Sequence, residues 1–134
     1  IVTSTVTLAE VYKLPELGTL PIEQSDKILS FFEHDYILAC QADRFVCKEA
    51  HHIIRLHDLL PMDAIHIATA LIQKVDLLVT TDTKKYRRRG LLAYNGQIGN
   101  PPLKISRPDL GTFLPLFEGK ADGAKTEQAG QAGP

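Results

Sequence analysis

The chain has 134 residues, 44% hydrophobic and 23% charged, a composition typical of one globular domain with a hydrophobic core. No apolar run approaches the roughly 18 residues that a membrane span needs, so we expect no membrane association. The net charge of −1 indicates no class of partner. Cys40 and Cys47, seven residues apart in a predicted helix, are too distant for a disulfide, which predicts reduced core thiols in a cytoplasmic protein.

Apolar periodicity, prolines and glycines divide the first half of the chain into alternating strands and helices. Ser4, Thr5 or Thr7 is the predicted cap of the first helix, and Pro21 opens the second. In chain order we predict a strand at 1–3, a helix, a turn region at 14–21, a helix at 22–34, a strand at 36–40 and a helix at 42–56.

The second half begins with a helix in which Pro61 fits the first turn and Asp63 lies where the helix dipole favours a negative charge. A short apolar strand follows and ends at Asp82. We predict a helix from 61 to 74, a strand at 76–81, a basic helix or loop at 83–89, a hairpin turn at Asn95-Gly96, a strand at 103–106, a short helix capped by Asp109, and a disordered tail at 119–134.

This alternation predicts an α/β fold with a mostly parallel sheet and helices on both faces, formed by residues 1–118. In such folds the functional site lies at the carboxyl ends of the strands. Asp82 ends a strand, Glu10 follows the first strand, and Asp63 opens a helix that leads back into the sheet. We therefore expect these acids at one edge of the sheet.

Three motifs resemble a known family: Ser-Thr-Val-Thr-Leu-Ala-Glu-Val at 4–11, Asp-Ala-Ile-His-Ile-Ala-Thr-Ala at 63–70, and Val-Thr-Thr-Asp at 79–82. In this order and spacing they resemble the PIN domain and, more narrowly, the VapC-type ribonuclease toxins. The resemblance implies a three-layer fold with a five-stranded parallel sheet, and an acidic site that binds Mg²⁺ or Mn²⁺. Glu10, Asp63 and Asp82 then fall on acidic positions, and Thr80 falls on the small hydroxyl position before the last acid.

One part of the family pattern has no equivalent in this chain. The family's first acid ends its first strand, in a pattern like Asp-Thr-Asn, upstream of Ile1. By the family's strand order that strand lies between the strand at Ile1 and the strand at Leu77. We therefore interpret the chain, which begins without methionine, as an N-terminally truncated domain lacking one ligand and a central strand.

The resemblance predicts a metal-dependent endoribonuclease that is the toxin of a type II toxin–antitoxin pair, with an antitoxin protein as partner and a homodimeric assembly. Mg²⁺ takes oxygen ligands, lowers the pKa of a bound water and stabilises charge on the phosphate. Hydrolysis by an activated water requires no Ser or Cys nucleophile. The alternative function is a non-catalytic RNA-binding or assembly module on the same scaffold.

Each acid also has a structural interpretation. Thr7 and Glu10 have the spacing of a helix capping box, Asp63 is suited to a first helical turn by itself, and Asp82 is suited to starting a turn. His66, one turn after Asp63, either bonds an active-site group or is a structural histidine.

A basic run follows Asp82 directly, with five cations in six residues. Such residues are suited to contact RNA phosphates, although charge runs often form only a solvated surface. The predicted substrate-binding residues are Thr80, Lys84, Lys85, Arg87 and Arg88. Tyr86, within the run, is assigned to core packing or to base stacking.

Overall fold

The helices lie close to the predicted positions. The computed structural model describes residues 1–11, 13–14, 18–19, 21–85 and 88–109. The α-helices in these ranges are α1 (Val6–Glu10), α2 (Ile22–Phe31), α3 (Arg44–Leu56) and α4 (Pro61–Ile72), and Leu91–Tyr94 form a 3₁₀ helix.

The strands are short and pair two by two. They are β1 (Val2–Ser4), β2 (Lys13–Leu14), β3 (Gly18–Thr19), β4 (Leu38–Cys40), β5 (Leu78–Val79), β6 (Lys84–Lys85), β7 (Arg88–Arg89) and β8 (Ile105–Ser106). The pairs β1–β4 and β5–β8 are parallel, with Thr3 opposite Ala39 and Leu78 opposite Ile105. The pairs β2–β3 and β6–β7 are antiparallel.

The α/β class is confirmed, because helices connect strands that pair in parallel. The sheet is not continuous across the described residues: β1–β4 and β5–β8 are separate two-stranded sheets. No backbone ladder therefore connects the strand that precedes Glu10 with the strand that precedes Asp82.

The core is centred on α4, which packs against α3 on one side and contacts β1 on another. Ala64, Ile67 and Ala68 are each 0% exposed, and the two alanines let neighbouring elements approach closely. Asp43 caps α3, because its Oδ1 accepts the N–H groups of Phe45 at 2.9 Å and Val46 at 3.0 Å. A helix with such a fixed start and a buried face is a rigid support for residues on its surface.

Two local predictions were wrong in detail. The segment at 83–89 contains an antiparallel strand pair, Lys84 opposite Arg89 and Lys85 opposite Arg88, rather than a helix or loop. Asn95 and Gly96 do not join two paired strands, because Asn95 follows the 3₁₀ helix and its Oδ1 accepts the N–H of Ile105 at 2.8 Å.

The cap of α1 lies at one of the three predicted positions. Thr5 is the residue before the helix, but its side chain makes no capping hydrogen bond, and the Ser4 hydroxyl accepts the N–H of Val6 at 3.4 Å. Cys40 and Cys47 are free thiols. The prediction of two core thiols in one helix was wrong, because Cys40 is buried but ends β4, whereas Cys47 lies in α3 and is exposed.

Some predictions fall outside the described residues. These are the roles of Tyr86 and Arg87, the helix after Asp109, the domain boundary at 118 and the tail at 119–134. In the part of the chain that is described, no helix is both long enough and apolar enough to cross a membrane.

Candidate functional site

Glu10 is the last residue of α1, and its carboxylate contacts the core helix α4. Glu10 Oε2 lies 2.7 Å from Nε2 of His66. The Glu10 side chain is 42% exposed and that of His66 is 19% exposed. The contact therefore fixes a solvent-facing carboxylate against a largely buried ring. Because Glu10 bonds His66 and the helix begins before Thr7, the capping-box interpretation of Glu10 was wrong.

The first turn of α4 carries the second predicted acid. Pro61 is the first helical residue, where its missing N–H removes no helical hydrogen bond, and Asp63 lies in the same turn, partly buried. The positive end of the helix dipole favours a carboxylate there. Residues three apart on a helix are neighbours, so Asp63 and His66 share one face of α4. His66 thus brings Glu10 to the end of α4 that carries Asp63.

Asp82 lies just beyond β5 and is held by a set of backbone contacts. Its N–H donates to the hydroxyl of Thr80 at 3.1 Å, and its Oδ2 accepts the N–H of Leu91 at 2.9 Å. The N–H of Thr80 donates to the carbonyl of Ser106 at 3.0 Å, which extends the β5–β8 ladder to this point. Thr80, predicted to bind substrate, therefore shapes the turn that carries Asp82.

The β6–β7 pair follows this turn, and Gly90, the residue after β7, contacts Thr83, the residue before β6. The N–H of Gly90 donates to the carbonyl of Thr83 at 3.1 Å. A Cβ at Gly90 would overlap that same carbonyl group, so only glycine permits this approach without a backbone shift. β6 therefore begins two residues after Asp82, which keeps the backbone of the pair close to this acid.

The predicted RNA-contacting cations are described only in part. The backbones of Lys84, Lys85 and Arg88 belong to the β6–β7 pair, whereas their side chains and all of Arg87 lie outside the description. Arg89 binds elsewhere: its Nη2 donates to the carbonyl of Ala93 at 3.0 Å, and its guanidinium lies 4.9 Å from the centre of the Tyr94 ring.

A groove of about 650 Å³ adjoins Glu10, between α1 and α2. Its walls are mainly apolar, and Lys27 supplies a cation. The groove was not predicted from the sequence, where the amphipathic pattern of α2 is the signal that could have indicated it. The residues that line it are Thr7, Glu10, Val11, Lys27, Ile28, Phe31 and Phe32.

The three predicted acids are not brought together as one metal centre. Across the ranges that the structure describes, no group of three or more His, Cys, Asp or Glu side chains is arranged to hold a metal ion. Glu10 and Asp63 share the α4 end, whereas Asp82 follows a strand in the other sheet. Carboxylate oxygens are the correct donors for Mg²⁺, but the described residues do not gather enough of them. The metal site stays a prediction.

Comparison with known proteins identifies the family. The sequence model of the PIN domain matches residues 1–91, more than half of the chain, and includes all three acids. The chain belongs to the PIN domain family. Searches of curated proteins and of solved structures found no significant match. PIN domains are generally nucleases, and the match is to the PIN domain as a whole rather than to a branch of the family.

Proposed function

We propose that this PIN domain is a metal-dependent endoribonuclease that uses Glu10, Asp63 and Asp82. The observation that carries the proposal is the 2.7 Å contact between Glu10 and His66, which joins the carboxylate after β1 to the helix end that carries Asp63. Family membership supplies the nuclease class. The Glu10 carboxylate contacts His66 of α4 rather than a residue of its own helix, α1.

The chain's own groups have distinct parts in this proposal. A bound Mg²⁺ or Mn²⁺ would supply an activated water and would stabilise charge on the phosphate. Asp63 provides a carboxylate at the positive end of α4, and Asp82 provides one that is oriented by the N–H of Leu91. Lys84, Lys85, Arg87 and Arg88, in and around the β6–β7 pair, would bind RNA phosphates beside Asp82.

The biological setting is also part of the proposal. The motifs that resemble VapC-type toxins support RNA as substrate, a toxin role in a type II toxin–antitoxin pair, and a cytoplasmic site of action. They further support an antitoxin protein as partner and a homodimer as the active form.

Point variants of the full-length protein test the nuclease. We expect Asp63→Asn and Asp82→Asn to abolish cleavage of labelled RNA in Mg²⁺ or Mn²⁺, with folding preserved. In Asp82→Asn the amide oxygen can still accept the N–H of Leu91, so the turn should survive. Asp76→Asn, at an exposed position between α4 and β5, is the matched control and should retain full activity. Wild-type activity in both acid variants would refute the proposal.

One observation favours a second candidate, a non-catalytic RNA-binding module. The described residues assemble no three-ligand metal group. Such a module would bind RNA without cutting it, with or without Mg²⁺ or Mn²⁺. Binding without cleavage by the full-length wild-type protein would select this candidate, and cleavage that depends on Asp63 would exclude it.

A further inference from the structure

The solvent-facing side of α3 carries a row of cations. Arg44, Lys48 and Arg55 are exposed, and their spacing of four and then seven residues places them on one side of the helix. The buried side of α3, which includes Val46 and Ile53, lies opposite. At a rise of about 1.5 Å per residue, the row is about 16 Å long. These three residues, the α3 row, therefore form an extended strip of positive charge.

The charges of the α3 row are not neutralised by the described part of the chain. None of its three members makes an ion pair or a side-chain hydrogen bond with another described residue. Glu49, the one acid within α3, lies away from the row and is partly buried. The preceding acid, Asp43, uses its Oδ1 to accept backbone N–H groups of the helix. The row is therefore open to a partner with negative charge.

The stability of α3 does not explain the row. Arg44 occupies the first helical position, where the helix dipole disfavours a cation. Arg44 and Lys48 are one turn apart, and like charges at this spacing destabilise a helix. Arg55 is the one member in the last turn, where the dipole favours a cation. Two of the three cations are thus placed against the preference of their own helix.

An aromatic ring lies beside the basic end of this face. The side chain of Phe45 is 75% exposed, although its backbone N–H is fixed by the cap of α3. His52, seven residues further on and on the same side of the helix as Phe45, is also exposed. Proteins that bind single-stranded nucleic acid combine cations along the backbone with aromatic rings on which bases stack. The bases of a duplex already stack on each other, so a free ring favours a single strand.

The α3 row also lies close to the elements that carry the candidate acids. The N–H of Ala42, just before α3, donates to Oγ1 of Thr5, just before α1, at 3.3 Å. The basic start of α3 is therefore next to the start of the helix that ends at Glu10. Along its length α3 packs against α4, which carries Asp63. A strand bound along α3 would thus stay beside both helices.

We propose that the exposed face of α3 binds single-stranded RNA, with Arg44, Lys48 and Arg55 on phosphates and Phe45 stacked on a base. The inference takes from the proposed function only that RNA is the partner, and it adds a surface separate from the basic run at 84–89. Phosphate contacts and stacking are made by the side chains themselves, so this surface requires no metal ion. Because phosphate contacts carry no sequence information, the surface accepts many RNA sequences.

Removal of the row in the full-length protein tests the phosphate contacts. The probe is a labelled single-stranded RNA without self-complementarity, and its fluorescence anisotropy is titrated in EDTA so that metal-dependent cleavage is absent. Each phosphate neutralised contributes about 0.7 to the slope of log K against log salt, so Arg44→Gln/Lys48→Gln/Arg55→Gln should lower that slope by about 2.1. At about 0.1 M salt this corresponds to about 100-fold weaker binding.

A second triple variant controls for net charge. Lys74→Gln/Lys104→Gln/Arg107→Gln removes three cations from exposed positions outside α3. It should lose much less affinity and keep a slope close to that of the wild type. Equal losses in the two triple variants would overturn the inference, because the effect would then come from net charge alone.

Substitutions of Phe45 test the stacking contact. Phe45→Ala should weaken binding of the single strand about 5–150-fold and leave the salt slope unchanged. Phe45→Leu should lose as much, because leucine has no aromatic face, whereas Phe45→Tyr should bind as the wild type does. Binding of the same RNA annealed to its complement should be unaffected by Phe45→Ala. Full affinity for the single strand in Phe45→Leu would overturn the stacking role and indicate an apolar protein partner for this ring.

The outcomes separate this inference from the nuclease proposal. Wild-type protein that binds the RNA in EDTA but never cuts it in Mg²⁺ or Mn²⁺ would refute the nuclease and leave the α3 surface standing. Wild-type affinity in the α3 triple variant would overturn the surface, whatever the result of Asp63→Asn. Thermal unfolding verifies that each variant is folded. If the triple variant does not fold, Lys48→Gln and Arg55→Gln replace it, each expected to lower the slope by about 0.7.

Discussion

Replacement of Gly90 by alanine tests how the turn that carries Asp82 is held. The φ angle of Gly90 is −75°, which alanine adopts freely, so the substitution changes the occupied space and not the backbone preference. The added Cβ would overlap the carbonyl group of Thr83 and lie 2.8 Å from the carbonyl oxygen of Asp82. Both are backbone groups that cannot rotate away, so the two segments must separate.

The expected cost has two parts. Overpacking of this kind costs about 1–3 kcal/mol. Separation also weakens the Gly90 N–H to Thr83 bond of 3.1 Å and the Leu91 N–H to Asp82 bond of 2.9 Å, at about 0.5 kcal/mol each. We expect a loss of about 2–4 kcal/mol in the free energy of unfolding. At about 4 °C per kcal/mol for a domain of this size, Tm should fall by about 8–16 °C.

Thermal unfolding measures the total effect, and amide hydrogen exchange at Leu91 locates it. Gly96→Ala is the matched control, since no atom lies within 4 Å of the added Cβ but the φ angle is +70°. Its cost should be only about 1–2 kcal/mol of backbone strain, with unchanged exchange at Leu91. A Gly90→Ala protein with the wild-type Tm, or with slow exchange at Leu91, would show that the approach at Thr83 does not hold the turn.

Two further predictions concern the helices that support the site. Ile67→Ala should lower the free energy of unfolding by about 2–5 kcal/mol in urea titrations, because Ile67 is 0% exposed, while Ile67→Val should cost about 0.5–1.5 kcal/mol. Equal losses in the two variants would argue against tight packing there. Asp43→Ala should cost about 1 kcal/mol by removing the cap of α3, and Asp43→Asn should cost much less. A loss in Asp43→Asn as large as in Asp43→Ala would contradict the capping role.

The sequence predicted the elements whose signal is local. Pro61 and Asp63 marked the start of α4, and short apolar runs marked β1, β5 and β8. The β6–β7 pair was missed because consecutive lysines and arginines have no apolar periodicity. Gly90 approaches Thr83 closely at the base of that pair, and a lone glycine after a basic run does not by itself indicate such a contact.

The site was predictable only as a set of candidate residues. Sequence spacing identified Glu10 and Asp63 as candidates, and it left His66 with two interpretations that are both compatible with its 2.7 Å contact with Glu10. The relation of Asp82 to the other acids depends on how the two parallel pairs are arranged, and no local pattern encodes the break between them. The groove beside Glu10 likewise arises from the meeting of α1 and α2.

The uncharged partners of Arg89 leave its charge in place, and this sets how strongly ionic strength can act through the basic run in the proposed function. The guanidinium of Arg89 bonds the Ala93 carbonyl and lies over Tyr94 while the residue stays exposed, so all five cations at 84–89 would be able to displace counterions from RNA. Each phosphate neutralised on a single strand contributes about 0.7 to the slope of log K against log salt, so this segment would account for a slope of no more than about 3.5. Any steeper dependence would have to come from cations elsewhere in the protein.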